Sequence, residues 1–433
     1  MIKPLIQILL AIFTYSALGQ DKLQTFYDNG QLKEEYFILN GDSSQIDGDY
    51  KMYDLKGNVI VAGRFETGQK EGMFYNYYPD GTIQRQTLYK RNKREGLTQV
   101  FSPSGSLIQE ATFKNDTLIG TIKLYDESGN LKGETTFEKG KPDGPVYTYY
   151  PNGKVKEMVT YQNGKPNGIT KQYYESGNIK LEANYANGLL DGEYKTYYPS
   201  GKLEMEVVNV RGNRSGSWKT YYENGQLMST ATYGDGSLQG KFLSYYENGD
   251  IKNSYQYKNG YRTGKGTDYH ANGKVKLMAN YSNNGMNATI KEYNTRGTLI
   301  AEKQLKNELP TGTWKEWDDK GRIARITPYE NGKLHGVEEV YEQGSKSVET
   351  TYKYGNKYGA YSEFHSNGQI KTTANYELNR LQGTYTSYYK SGQVAYTGEY
   401  VRNTRVGTWK FYDKKGNLKE EVSYEKGKPV EKE

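Results

Sequence analysis

A glycine returns at positions 30, 57, 81, 105, 129, 153, 177, 201, 225, 249, 273, 297, 321, 344, 368, 392 and 416. Fourteen of the sixteen intervals are 24 residues; the exceptions are 27 at the start and 23 between Gly321 and Gly344. A period of this length over so much of the chain excludes a single globular core and requires a stack of identical small modules. A second glycine precedes most of these by nine residues, from Gly48, Gly72 and Gly96 to Gly383 and Gly407, with Ala288 as the one substitution. A third, looser phase lies four residues earlier, as in Gly140, Gly164, Gly188 and Gly332.

Each module reads as two strands. In the Gly225 repeat, Trp218 to Tyr222 is β-prone and closes on Glu223-Asn224-Gly225, and Asn-Gly signals a hairpin. The return strand alternates: Ile179, Leu181, Ala183 and Tyr185 point one way, Lys180, Glu182 and Asn184 the other. The stretch Ala186 to Gly192 reads as a loop to the next module, and no segment beyond the N-terminus shows sustained helical spacing. If Asn224-Gly225 is a two-residue turn, Trp218, Tyr222, Leu227, Ala231 and Tyr233 share a face, with Ala231 opposite Trp218 and Tyr233 opposite Gly216. The ring of Tyr233 would then explain why position 216 is glycine.

The residue just ahead of each turn is aromatic in all seventeen repeats and belongs to the other face. Its predicted cross-strand partner is Lys in eight repeats, among them Lys156, Lys180, Lys252 and Lys276. The central part of that row, Tyr149, Tyr173, Tyr197, Tyr221, Tyr245, Tyr269 and Tyr293, is a candidate binding stripe for a peptide strand, a glycan or a partner sheet. Lys90, Arg91, Lys93 and Arg94 form the densest basic run and a candidate loop for an anionic partner.

Composition fits this plan. Only 34% of the residues are hydrophobic, too few for one large core, while 14% aromatic content argues against disorder. With no Cys there is no disulfide, thiol chemistry or cysteine metal site. A net charge of +7 over 433 residues does not imply nucleic-acid binding. The three histidines are far apart in the repeat: His270 and His365 replace a Tyr three before the turn glycine, and His335 lies in a loop. No catalytic residue, cofactor site or metal site is predicted, because no departure from the repeat is large enough to carry one. The irregularities are residues 38–47 (a three-residue insertion), Gln343-Gly344-Ser345 (a one-residue deletion), and Asn209 and Leu305 in place of a strand-end aromatic. At the N-terminus, Met1-Ile2-Lys3 and the apolar run Pro4 to Leu18 end in Ala17-Leu18-Gly19, as in a signal peptide over residues 1–19 cleaved before Gln20.

The unit, Tyr-x-Asn-Gly-Lys-x-x-Gly-x-Trp-x-x-Tyr-Tyr-x-x-Gly-x-Leu, resembles the MORN repeat. It is most similar to the bacterial variant MORN family, some of whose members are labelled YwqK-type antitoxins. Asn331-Gly332-Lys333-Leu334-His335-Gly336 and Thr311-Gly312-Thr313-Trp314-Lys315-Glu316-Trp317 carry the match best. The resemblance implies an all-β fold in which β-hairpins over residues 20–433, about 16–17 units, form one elongated twisted antiparallel sheet. It also implies a non-enzymatic scaffold that binds a protein or itself. The alternatives are a cell-envelope module for glycan or lipid headgroups and an antitoxin-like neutralising partner. With the leader, the expected location is exported: periplasm, outer-membrane-associated or extracellular.

Overall fold

The computed structural model describes residues 19–430, so the expected leader, apart from Gly19, and the last three residues lie outside the described residues. All secondary structure among the described residues is β-strand, paired antiparallel in sequence order, and none is helical. The chain divides into two compact bodies, with the boundary between Asn213 and Arg214. Within each body, a typical repeat is an outgoing strand of about nine residues, a tight turn and a return strand of eight, as in Leu189–Tyr197 and Leu203–Val210.

The turn at the 24-residue glycine is longer than the expected two residues. In the Gly225 repeat, the Gly225 amide donates to the Tyr222 carbonyl at 2.8 Å, and the Tyr222 amide donates to the Gln226 carbonyl at 2.8 Å. Gly225 has φ 89° while Asn224 stays at negative φ. This is a type I turn followed by a left-handed residue, a three-residue loop that needs glycine at its last place. An added Cβ at Gly225 would touch nothing, so backbone conformation alone keeps the residue.

This turn sets Tyr221 opposite Leu227, one residue out of the expected register. A bulge at Met228 then restores it: Thr220 faces Ser229, Trp218 faces Ala231 and Gly216 faces Tyr233. Two one-residue departures cancel, so the large-against-small pairs are as expected although the turn is not. The reason for Gly216 is corrected. It has φ 71° and no atom within 4 Å of an added Cβ, so it sits at a left-handed bulge and does not make room for Tyr233.

The two-residue turns lie instead at the looser third phase, which reads as loop in the sequence. Ala186 pairs with Leu189 across Asn187 (φ 51°) and Gly188 (φ 88°), the left-handed pair that a type I′ turn requires. At Ala288, where the second glycine is absent, the bulge is absent too. Tyr281 pairs with Ala288 and Ser282 with Asn287, and the two displaced residues lengthen the loop at 283–286. The deletion at Gly344 has a comparable local remedy. Glu342 pairs with Ser345 across a two-residue turn at Gln343 (φ 53°) and Gly344 (φ 88°), which keeps Tyr341 in the pre-turn row.

The core is one face of the sheet. Its deepest row is the sixth residue after the turn glycine: Thr87, Ala111, Ala183, Val207, Ala231, Ala279, Thr327, Thr350 and Ala374 are all buried. Beside these small residues lie rings seven before and eight after the glycine. Their centroids are 4.8 Å apart for Trp314 and Tyr329, 5.5 Å for Tyr385 and Tyr400, and 6.4 Å for Trp218 and Tyr233. Where the pattern inverts, space is conserved: Gly266 stands in the ring position and Tyr255 fills the small one, with an added Cβ at Gly266 only 2.6 Å from that ring.

Candidate functional site

The opposite face is polar and carries the pre-turn tyrosines. Lys171 and Glu182 are 2.7 Å apart and Lys291 and Glu302 2.7 Å apart, cross-strand pairs whose solvent-screened charges add little to stability. Tyr149 donates to Glu134 at 2.6 Å and Tyr197 to Glu182 at 2.9 Å. Burial and these carboxylates push both phenols up, Tyr197 to about 12. Tyr293 contacts the Met278 sulfur at 3.8 Å. All seven candidate stripe residues are half-buried. Tyr149, Tyr173 and Tyr197 belong to the N-terminal body and Tyr221, Tyr245, Tyr269 and Tyr293 to the C-terminal one.

The Lys partners expected for this row go elsewhere. The register places Leu227, Ile179 or Val155 opposite the pre-turn tyrosine, because the lysine three after the glycine is the bulged residue. Lys156, Lys180 and Lys252 lie 5.9, 5.8 and 5.6 Å from the rings of Tyr150, Tyr174 and Tyr246, the first residue of each turn. That turn tyrosine, expected on the Trp218 face, is instead a strut between repeats. Tyr150 donates to the carbonyl of Tyr173, Tyr174 to Tyr197 and Tyr222 to Tyr245, at 2.7, 2.7 and 2.8 Å. His270 and His365 make the same contact to Tyr293 and Tyr388, at 2.9 and 2.8 Å, which accounts for their replacing a Tyr. His335 stands apart, with Nδ1 3.4 Å from the Glu330 carboxylate.

Six turns dispense with the strut, and in one of them Ser102 accepts the Ser106 amide at 3.2 Å. In the other five, Asp54, Asp126, Asn294, Asp318 and Asp413 take the same position and accept amide hydrogens of their own loop, as Asp126 does from Ser128 and Asn130 at 2.9 and 2.8 Å. Hydrogen bonds from Asn58, Asn130 and Asn417 hold Asp54, Asp126 and Asp413 below the usual carboxylate range, and the Arg322 amide does so for Asp318.

The basic run divides. Lys90 pairs with Lys93 across a two-residue turn at Arg91 and Asn92, and Lys90, Arg91 and Lys93 are exposed. Arg94 turns onto the core face, with its guanidinium 4.0 Å from the Phe113 ring and its Nε 3.2 Å from Asp116. It is one of a set of cations eleven residues before the turn glycine. Lys70, Arg214, Arg262, Lys357 and Arg405 occupy that phase as well, each over one or two core-face rings. The sequence reading missed this row; its signal is a cation recurring at one phase, diluted by Pro and Leu in other repeats. Among the described residues no group of three or more His, Asp or Glu could hold a metal ion.

Known proteins add family membership to this geometry. A family model described as "MORN repeat variant" matches at thirteen places: residues 22–40, 70–91, 94–115, 118–139, 142–163, 166–187, 190–208, 214–235, 238–259, 262–283, 357–378, 381–402 and 405–426. No curated protein matches the chain. Among solved structures, "Crystal Structure of TcdB2-TccC3" is 11% identical with a TM-score of 0.16, spanning 96% of this chain and 24% of that one. "Structure of Photorhabdus luminescens Tc holotoxin pore, Mutation TccC3-D651A" is 12% identical with a TM-score of 0.16, spanning 95% and 23%. This chain thus spans about a quarter of the length of those chains. The repeat match covers well over half of the sequence and coincides with the observed hairpins: the chain belongs to the MORN repeat variant family.

Proposed function

We propose that this chain is a non-enzymatic, exported scaffold that binds another protein, or a second copy of itself, through its polar tyrosine face and its terminal strands. MORN repeats are in general binding modules for proteins or lipids, and the polar face supports the finer reading. Tyr149, Tyr173 and Tyr197 recur there with half-exposed rings beside Lys171, Glu182 and Lys195, so aromatic area, donors and acceptors repeat at one spacing. A repetitive partner matches such a row. Among the described residues the first strand, Gln20–Phe26, pairs on one side only, with Leu32–Leu39, and an edge of this kind suits pairing with a partner strand.

The exposed lysines Lys156, Lys180 and Lys252 above turn tyrosines favour a second reading, a cell-envelope module for glycan or lipid headgroups. One experiment tests both. The tagged mature protein is crosslinked in the envelope and the medium of its source cells and recovered at low and moderate salt. The scaffold reading expects a protein partner or self-crosslink that survives moderate salt and is lost in Tyr173→Ala/Tyr197→Ala. Recovery of neither overturns it, and capture of glycan or lipid that vanishes with salt supports the second reading.

A further inference from the structure

We propose that a groove on the core face of the N-terminal body, between residues 61 and 113, binds a small oxyanion: a carboxylate or phosphate monoester on a skeleton of about monosaccharide size. The groove encloses about 410 Å³. Its wall carries Lys70, Arg85 and Arg94 with Asn76 and Gln109, and no carboxylate is among the lining residues.

The groove exists because one ring is missing. Seven residues before the turn glycine the chain places Phe74, Trp218, Phe242, Trp314 and Trp409, but in the Gly105 repeat it places Thr98. The neighbours across both strands, Thr87 and Ala111, are small as well, so the space stays open. Thr98 is 9% exposed, lines the groove, and its hydroxyl oxygen is buried with no hydrogen-bond partner in the protein. A buried hydroxyl without a partner is destabilising relative to a satisfied one, and a ligand oxygen in the groove supplies the partner. The cations are already positioned. The Lys70 ammonium is 4.9 Å from the Phe74 ring and 5.1 Å from the Tyr89 ring, and Arg94 lies over Phe113 with Asp116 on its Nε. Arg85 is exposed and makes no salt bridge among the described residues, so its fork is available to an oxyanion.

A second place in the same body acts as an internal control. In the Gly177 repeat the ring is again replaced by a threonine, Thr170, buried and with an unpartnered hydroxyl. There Pro142, Glu157 and Pro166 stand at the phases of Lys70, Arg85 and Arg94. The missing ring is common to both sites; the positive wall belongs to the first alone. This groove lies on the face opposite the tyrosine row, so its fate leaves the partner-binding reading intact.

The test is calorimetric titration of the mature chain with inorganic phosphate, glucuronate and, as the neutral control, glucose. Saturable binding of at least one anion is expected, weakening with salt, and none of glucose. Arg85→Gln should weaken the anion at least about tenfold, the effect of losing one charged hydrogen bond. Thr98→Phe, which restores the ring that other repeats carry, should abolish binding with the β-sheet circular dichroism retained, and Thr170→Phe should leave binding unchanged. Absence of saturable binding by both anions, or unchanged affinity in Arg85→Gln, overturns the proposal. So does a folded Thr98→Phe that still binds; should that variant not fold, the exposed Arg85 decides alone.

Discussion

The surroundings of Trp409 and of Thr98 are the same phases of the repeat filled differently: a ring faces Gly398 in one, and a threonine faces Thr87 in the other. Both residues lie seven before a turn glycine, and each has an arginine four residues earlier, Arg405 and Arg94. Around Trp409 everything is filled. The indole is fully buried, an added Cβ at Gly398 would come within 2.2 Å of it, and Arg405 and the rings of Tyr385, Tyr400 and Tyr424 pack 4.4 to 6.1 Å away. Around Thr98 the same frame is open, with an unsatisfied hydroxyl on its floor and cations on its wall. A single-layer sheet has no second layer to close such a gap, so the identity of one residue per repeat decides between core and cavity.

Removing the indole should break the filled side most strongly. Trp409→Ala is expected to cost about 3–5 kcal/mol, as for other large-to-small core changes, and hydrogen exchange should lose protection across residues 396–424 while residues 61–113 are unaffected. Gly398→Ala attacks the same packing from the other strand and should cost about 1–3 kcal/mol by overpacking in the same readout. Thr98→Phe sharpens the comparison in the opposite sense: filling the gap should leave thermal stability unchanged or raised. A loss comparable with that of Trp409→Ala would mean the gap is not shaped for a ring.

Smaller effects separate the backbone devices. Gly216→Ala forces a left-handed residue at the bulge and should cost about 1 kcal/mol, whereas Ala288→Gly, in a repeat that has dispensed with the bulge, should cost less than that. The smallest concerns the turns. Asp54, Asp126, Asp318 and Asp413 titrate below an ordinary carboxylate, so the folded state favours their charged form. Their contribution is complete above the ordinary Asp range and fades as pH falls through the lowered folded values. Amide exchange at Gly57, Gly129, Gly321 and Gly416 should therefore rise on acidification relative to Gly153, Gly177 and Gly225, whose turns are held by tyrosine struts. Equal behaviour in the two sets would remove the distinction.

Much of this was readable from the sequence because the repeat averages over local error. The period, the two-stranded module, the facing of Trp218 to Ala231 and of Tyr233 to Gly216, and the pre-turn row on the opposite face all follow from phase alone. The turn did not, because Asn224-Gly225 carries the letters of a two-residue hairpin while the following bulge hides the extra residue from any alternation test. The struts of Tyr150 and Tyr222 were missed for a related reason: they join different repeats, and a pattern read within one repeat cannot show them. The groove left only a weak mark, a threonine in a column that elsewhere carries mostly rings and aliphatic residues, legible once the neighbouring strands and the cation row are in place.

Hydrogen exchange of the mature chain with and without saturating glucuronate tests the central claim most directly. If the residue at the ring phase decides between core and binding site, added protection should appear within residues 61–113 and be absent from residues 385–424, where Trp409 fills the equivalent place. Protection spread evenly over the repeats, or confined to the Trp409 region, would contradict it.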